Sequence, residues 1–250
     1  MIAVRQAIEV FHLLFLQQLA TRVPKNLCVL KGGSNLRFFF GSIRYSEDMD
    51  FDVQTIARDT LRKNVETILK APAFSKILQV HRLAIESWSA PKQTDTVQRW
   101  KLRLRLVGGE QEAPTKIEFS RRGIDPGALF EPIDGQLIQQ YRLSPILASH
   151  YGKNTALLQK VSALAHRSET QARDVFDLKL LIDARAALTD ENLENEIDLA
   201  CERALSVSFD EFRAQVVAYL PSEWQDYYGS RDAWNQLQEQ VVNVLRGENR

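Results

Sequence analysis

Between positions 48 and 53 the chain reads Asp48-Met49-Asp50-Phe51-Asp52-Val53, acid and apolar in strict alternation. Side chains two apart on a strand point the same way. Met49, Phe51 and Val53 therefore share one face, and Asp48, Asp50 and Asp52 share the other. A segment of this kind demands a sheet with one covered face and one polar face. Three like charges in line repel one another, so a purely structural strand should avoid them. A hard divalent cation reverses that cost, because Mg²⁺ takes one or two carboxylates and leaves substrate phosphates to complete its shell. An open sheet face could carry three acids without a metal, but the preceding segment weighs against it. A short apolar run at residues 26–30 enters Lys31-Gly32-Gly33-Ser34, a strand leading into a glycine turn. Ser34 is expected to cap a short helix over residues 35–40. Such a turn lets backbone N–H groups approach a phosphate closely. The two elements together predict a nucleotide-phosphate and metal site.

Two further strands are expected to border it. Thr115-Lys116-Ile117-Glu118-Phe119 alternates, which puts Lys116 and Glu118 on one face, and Glu118 can complete a carboxylate trio with Asp48 and Asp50. Two ions about 3.5–4 Å apart would then activate an attacking hydroxyl and steady the leaving pyrophosphate. The segment before it sets Arg99, Lys101, Arg103 and Arg105 on one face and Trp100, Leu102, Leu104 and Leu106 on the other. Four cations in register form an anion-binding stripe or a solvated edge that blocks aggregation. On the first reading the stripe holds a triphosphate tail or an RNA backbone.

The rest of the chain divides by periodicity. Helical spacing is expected over 2–21 and 55–70, and strands over 76–88, 97–107 and 114–120, with Gly108-Gly109 turning between the last two. Glycines and prolines between Gly123 and Gly135 mark a boundary. Beyond it helices are expected over 144–151, 154–167, 171–187, 190–205, 208–219 and 230–246. The expected fold class is therefore α/β (α+β), with a core over residues 1–125 and a helical lobe over 126–250.

Charge follows the same division. The chain holds 32 Lys+Arg and 32 Asp+Glu. The first half has 20 basic against 13 acidic residues, a surplus of seven positive charges, and the second has 12 against 19, the opposite surplus. Either the basic half faces a polyanion or the two halves dock on each other's charge. No apolar stretch approaches the roughly 20 residues of a membrane helix. The first residues lack the pattern of a signal peptide, and Cys28 and Cys201 are too few and too far apart for a metal site of their own. A cytoplasmic protein without a membrane partner is expected. The phosphate-loop, dinucleotide, nucleophile-elbow and zinc-helix signatures do not occur, and His12, His81, His150 and His166 are read as structural.

In the second half, Lys160, Leu164 and Arg167 share a helix face, and Arg173 and Asp177 have the spacing of an i, i+4 pair. Alone these would be ordinary surface charges. Taken with the first blocks, they resemble a known family. Leu30-Lys31-Gly32-Gly33-Ser34-Asn35-Leu36-Arg37, Tyr45-Ser46-Glu47-Asp48-Met49-Asp50-Phe51-Asp52, Lys160 and Arg173-Asp174-Val175-Phe176-Asp177-Leu178 together resemble the AbiEii/AbiGii-type nucleotidyltransferases. These are toxins of toxin–antitoxin and phage-defence systems, relatives of the MenT toxins in the DNA polymerase β-like superfamily. The likeness runs in order over about residues 25–185. The loop between turn and acids is longer than in many relatives, and so is the approach to Lys160 over residues 144–159.

The resemblance implies a mixed sheet with flanking helices, followed by a helical lobe that completes the active-site cleft. It implies transfer of a nucleotide from an NTP, with Mg²⁺ (or Mn²⁺) as cofactor, an RNA acceptor such as the tRNA 3′ end, and a cognate antitoxin as partner. By position, Asp48 and Asp50 correspond to the metal-binding acids; Glu118, expected from its strand alternation, would be the third metal ligand. Gly33 and Ser34, with Lys31 and Ser46, hold the nucleotide. Lys160 and Asp174 correspond to the essential pair of the second lobe, with Asp174 either orienting Lys160 or acting as base. Arg103, Arg105 and Lys116 are the expected acceptor or phosphate contacts. A small-molecule or protein hydroxyl as acceptor, and a silent nucleotide- or RNA-binding module, are the alternatives.

Overall fold

The structure, a computed structural model, describes residues 4–108, 111–188 and 193–247. It divides into two compact units. The first comprises Met1–Gly41 and Tyr45–Tyr151, the second Ser42–Arg44 and Gly152–Arg250. No helix among the described residues is long and apolar enough to cross a membrane.

Among the described residues the first unit is built on seven strands: β1 (Cys28–Lys31), β2 (Asp48–Val53), β3 (Leu83–Gln93), β4 (Val97–Leu106), β5 (Glu112–Ser120), β6 (Ala128–Pro132) and β7 (Leu147–Tyr151). Their order across the sheet is β3-β4-β5-β2-β1-β7-β6. The β2–β5 and β1–β7 pairs are parallel and the others antiparallel. Its helices are α1 (Val4–Ala20), α2 (Gly32–Phe39), α3 (Arg58–Lys70), α4 (Pro72–Val80) and α5 (Gly135–Gln140).

Register explains the core. Phe51 lies opposite Phe119 in the β2–β5 pair, and their rings stack with centroids 4.9 Å apart. Trp100 meets Phe119 edge-on at 5.7 Å. Phe11 and Phe15 of α1 and Leu61 and Val65 of α3 are buried in the same cluster. Each such side chain contributes about 1.5–3 kcal/mol on burial. His12 of α1 is buried too. Its Nε2 lies 2.7 Å from the Thr115 hydroxyl, and desolvation pushes its pKa down to about 3, so the ring is neutral. The same register puts Asp50 opposite Glu118 on the other face.

Three local expectations need correction. Residues 144–151 do not form a helix: β7 occupies 147–151 beside β1, with Ala148, His150 and Tyr151 buried. That strand carries the first unit to Tyr151, past the boundary expected at 125/126. Residues 76–80 are helical, not extended. Pro72 starts α4, Phe74 and Leu78 bury one face, and Arg82 at φ +59° turns the chain into β3. Ser34 does not cap α2, because that helix starts at Gly32, directly after the extended Lys31.

The second unit is helical: α6 (Lys153–His166), α7 (Ala172–Asp183), α8 (Glu194–Ser206), α9 (Phe209–Gln215), α10 (Ser222–Tyr228) and α11 (Arg231–Leu245). The helix expected over 208–219 breaks after Gln215, and a single 3-10 turn follows at Val217–Tyr219. Phe212 stacks on Trp234 at 4.2 Å in its core. Gly109 and residues 190–192, where a turn and a helix start are expected, lie outside the described residues.

Candidate active site

The polar face of the sheet holds charges in cross-strand rows. Lys31, Asp50, Glu118 and Arg99 face one another in turn across β1, β2, β5 and β4. The next row runs Asp48, Lys116, Lys101 and Ser89, ending on β3. Each row thus mixes acids with cations. Lys116 Nζ lies 2.9 Å from Asp48 Oδ2, Lys31 Nζ 2.5 Å from Asp52 Oδ1, and Arg99 pairs with Glu118. The Tyr151 hydroxyl donates to Asp52 Oδ2 at 2.9 Å. Burial raises the pKa of Asp50; Asp48 and Glu118 push the same way and Lys116 and Lys31 oppose them.

The start of α2 abuts this row. Gly32 takes φ +69°, and a Cβ there would sit 3.2 Å from Asp50 Oδ2. Only glycine allows the strand to turn into the helix against that carboxylate. Lys31, the residue before the helix, gives it no side-chain cap, and no acid occupies its first turn. The first N–H groups of a helix have no partner within it and carry its positive pole. α2 is anchored from behind by Arg37, whose Nε donates to the buried Glu9 at 2.6 Å.

The sequence-predicted residues take several positions. Ser34 and Ser46 both donate to the backbone carbonyl of Asp48, at 2.7 and 2.9 Å, and so bind the β2 strand to the helix and to its own loop. Glu118 faces Asp50, but Arg99 holds its carboxylate. The cation stripe is divided: Arg105 pairs with Glu86 at 2.8 Å and Arg103 with Glu112 at 3.3 Å, while Lys101 has no ion pair among the described residues. A groove of about 570 Å³ opens beside Asp48, lined by Lys116, Lys101, Arg103, Ser87 and Ser89; Arg105 lies outside it. Ser87 and Ser89 were not singled out by the sequence, since β3 reads as ordinary alternation there.

Among the described residues no three His, Cys, Asp or Glu side chains gather to hold a metal ion. The donor set fits Mg²⁺ in another way. Asp48 and Asp50 supply two hard oxygen ligands, and that ion ordinarily adds phosphate oxygens and water. The raised pKa of Asp50 marks negative charge that a cation would relieve.

The second unit carries its own constellation. Asp174 and Asp177, one turn apart on α7, are both fully buried. Lys160 Nζ donates to Asp174 Oδ1 at 2.9 Å and lies 2.6 Å from Asp177 Oδ2. Arg44 reaches both Asp177 oxygens at 3.0–3.1 Å, and Arg167 Nε lies 3.0 Å from Asp174 Oδ2. Asp177 therefore does not pair with Arg173, its i, i+4 partner by spacing, because it faces α6 and Arg44. Burial raises the Asp177 pKa, but Arg44 and Lys160 overcome that and hold it below the usual carboxylate range. Lys160 is raised: burial opposes its charge, and the two aspartates outweigh burial. Sequence reasoning missed Arg44 and the role of Asp177. The i, i+3 spacing of Asp174 and Asp177 was the available signal; nothing local marked Arg44.

Several solved structures share the fold, two of which serve as examples. JHP933 from Helicobacter pylori is 20% identical, over 98% of this chain and 94% of that one, with a TM-score of 0.59. MenT4, a nucleotidyltransferase toxin from Mycobacterium tuberculosis H37Rv, is 19% identical, over 97% of this chain and 84% of that one, with a TM-score of 0.62. No curated protein matches in sequence. The family model of the nucleotidyl transferase AbiEii toxins of type IV toxin–antitoxin systems matches residues 14–242. With paired aspartates beside an uncapped glycine helix start, and a match over nearly the whole chain, the protein belongs to the AbiEii nucleotidyltransferase toxin family.

Proposed function

We propose that this toxin transfers a nucleotide from an NTP to the terminal hydroxyl of an RNA acceptor, with the tRNA 3′ end as first candidate. The observation that carries the reading is the Asp48–Asp50 pair set against the start of α2, which has no side-chain cap, with the Gly32 approach that only glycine permits. Asp48 and Asp50 would hold Mg²⁺ or Mn²⁺, and Glu118 would join them once released from Arg99. The ion supplies a Lewis acid at the α-phosphorus when bound. The N–H groups at Gly33 and Ser34 bind the phosphates, with Ser46 fixing the Asp48 strand and Lys31 adding charge. Lys160 supplies positive charge to the triphosphate, and Asp174 orients it. The RNA hydroxyl attacks the α-phosphorus, pyrophosphate leaves, and the chain contributes chiefly positioning and charge.

The groove beside Asp48 favours RNA, because Lys116, Lys101 and Arg103 on its walls suit a phosphate backbone. The reaction belongs in the cytoplasm, where NTPs and RNA meet, with the toxin held in check by its antitoxin in a phage-defence role. Purified protein incubated with each labelled NTP, Mg²⁺ and total RNA tests this. Label on RNA, lost in Asp48→Asn, is expected. Label on protein or on small molecules alone would overturn the RNA acceptor, and no label anywhere would return the protein to a binding role.

A further inference from the structure

The two lysine–aspartate pairs on the polar face of the sheet differ in how firmly they are made. The Asp52 side chain is 6% exposed and takes a second donor besides Lys31, the Tyr151 hydroxyl at 2.9 Å. The Asp48 side chain is 35% exposed, and its carboxylate meets Lys116 alone among the described residues, at 2.9 Å. A lysine–carboxylate pair this exposed shifts an equilibrium by no more than about fivefold. Strand β2 does not depend on it. Ser34 and Ser46 both donate to the Asp48 carbonyl and hold the backbone from α2 and from its own loop. The carboxylate can therefore change partner while its strand stays in place.

Register fixes what lies beyond Lys116. It stands between Asp48 of β2 and Lys101 of β4, with Ser89 of β3 next in the row. Ammonium groups directly opposite each other repel, and Lys101 has no ion pair among the described residues. Asp48 relieves that repulsion. Without Asp48, Lys116 and Lys101 are neighbouring cations on the wall of the groove, with Arg103, Ser87 and Ser89 beside them and Glu47 as the remaining acid. Such a wall suits a phosphate. Of the charges around Asp50, Lys116 also bears on it most strongly, so one ammonium serves both acids.

We propose that Lys116 is an exchangeable counter-ion. It holds Asp48 in the metal-free chain, a divalent cation displaces it there, and the released ammonium joins Lys101 in binding an RNA phosphate in the groove. This rests on the reading above that Asp48 and Asp50 hold the ion. The exchange couples the two ligands: the metal frees the cation that RNA uses, and by reciprocity RNA tightens the metal by the same factor.

The test is the dissociation constant of Mn²⁺ for the full chain, with and without a short oligouridylate, alongside melting of the metal-free protein. Lys116→Met removes the competitor and is expected to tighten Mn²⁺ roughly tenfold, the effect of a unit charge at side-chain range near a protein surface. Its metal-free melting temperature should hardly move, because the pair is half-exposed. The oligouridylate should tighten Mn²⁺ several-fold in the wild type and clearly less in Lys116→Met, where no ammonium is released. Lys116→Arg keeps a cation on Asp48 and should bind Mn²⁺ no more tightly than the wild type. Lys101→Met removes an equal charge that holds no acid, and should change Mn²⁺ affinity less than Lys116→Met does.

A folded Lys116→Met chain with wild-type Mn²⁺ affinity would overturn the proposal. Equal tightening in Lys101→Met would do the same, by reducing Lys116 to one more charge in the field, and so would oligouridylate coupling that survives Lys116→Met unchanged. Should Lys116→Met not fold, Lys116→Gln carries the same expectations. Failure of both the wild type and Lys116→Met to bind Mn²⁺ would instead overturn the metal reading of Asp48 and Asp50, and is told apart because the second chain has no competitor.

Discussion

Two groups of aspartates in this protein carry similar charge in opposite ways. On the sheet, Asp48 and Asp50 stand on a half-buried face beside an open groove, and burial leaves Asp50 more willing to hold a proton. In the helical unit Asp174 and Asp177 have no exposure at all, and Asp177 is held ionised by Arg44 and Lys160. Acids sealed among helices must be matched by the chain's own cations, because an unmatched buried charge is unaffordable. Acids beside a groove can be left partly unmatched, to be satisfied by something that arrives. On the proposed function, the helical group serves folding and orientation and the sheet group serves the ligand.

The largest effect should come from breaking the sealed cluster. Asp177→Ala takes from Arg44 the carboxylate it holds and leaves Lys160 with Asp174 alone, and is expected to cost about 3–5 kcal/mol of stability in denaturant unfolding. Asp50→Ala should do the reverse: transfer falls by roughly two to three orders of magnitude, while the melting temperature holds or rises as like charges are removed. A large stability loss in Asp50→Ala with activity intact would erase the distinction between the two groups.

The pH dependence of stability sharpens it further. The folded pKa of Asp50 is raised, so the folded state keeps a proton that the unfolded chain releases, and stability falls as pH rises from the ordinary carboxylate range through that raised value. Asp177 has the opposite sign. Its contribution is present above the ordinary carboxylate value and is lost as pH falls through its depressed folded value. Metal-free melting curves against pH should flatten on the acid limb in Asp177→Asn, and on the limb above it in Asp50→Asn. Added Mg²⁺ should stabilise the wild type most where Asp50 is ionised.

The smallest expected effect lies in the stripe. Arg103 lines the groove and Arg105 does not. If RNA lies in the groove, Arg103→Gln should lower the salt slope of RNA binding by about 0.7, the share of one single-strand phosphate, while Arg105→Gln leaves it unchanged. Equal slopes for both would return the stripe to a solvated edge.

The sequence by itself determined the β2 strand, the glycine turn before it, and the faces of β4 and β5, because two-residue alternation and glycine conformation are local properties. It also paired Lys160 with Asp174, by resemblance. It misread residues 144–151 as helix, since a five-residue strand beside β1 is defined by its neighbour's hydrogen bonds and not by its own composition. Tertiary structure alone decided that Ser34 supports the Asp48 carbonyl and that Arg99 competes for Glu118. It alone brought Arg44 to Asp177 across 133 positions of sequence. Charge complementarity acts through space, so no window along the chain could have shown which cation would meet a buried acid.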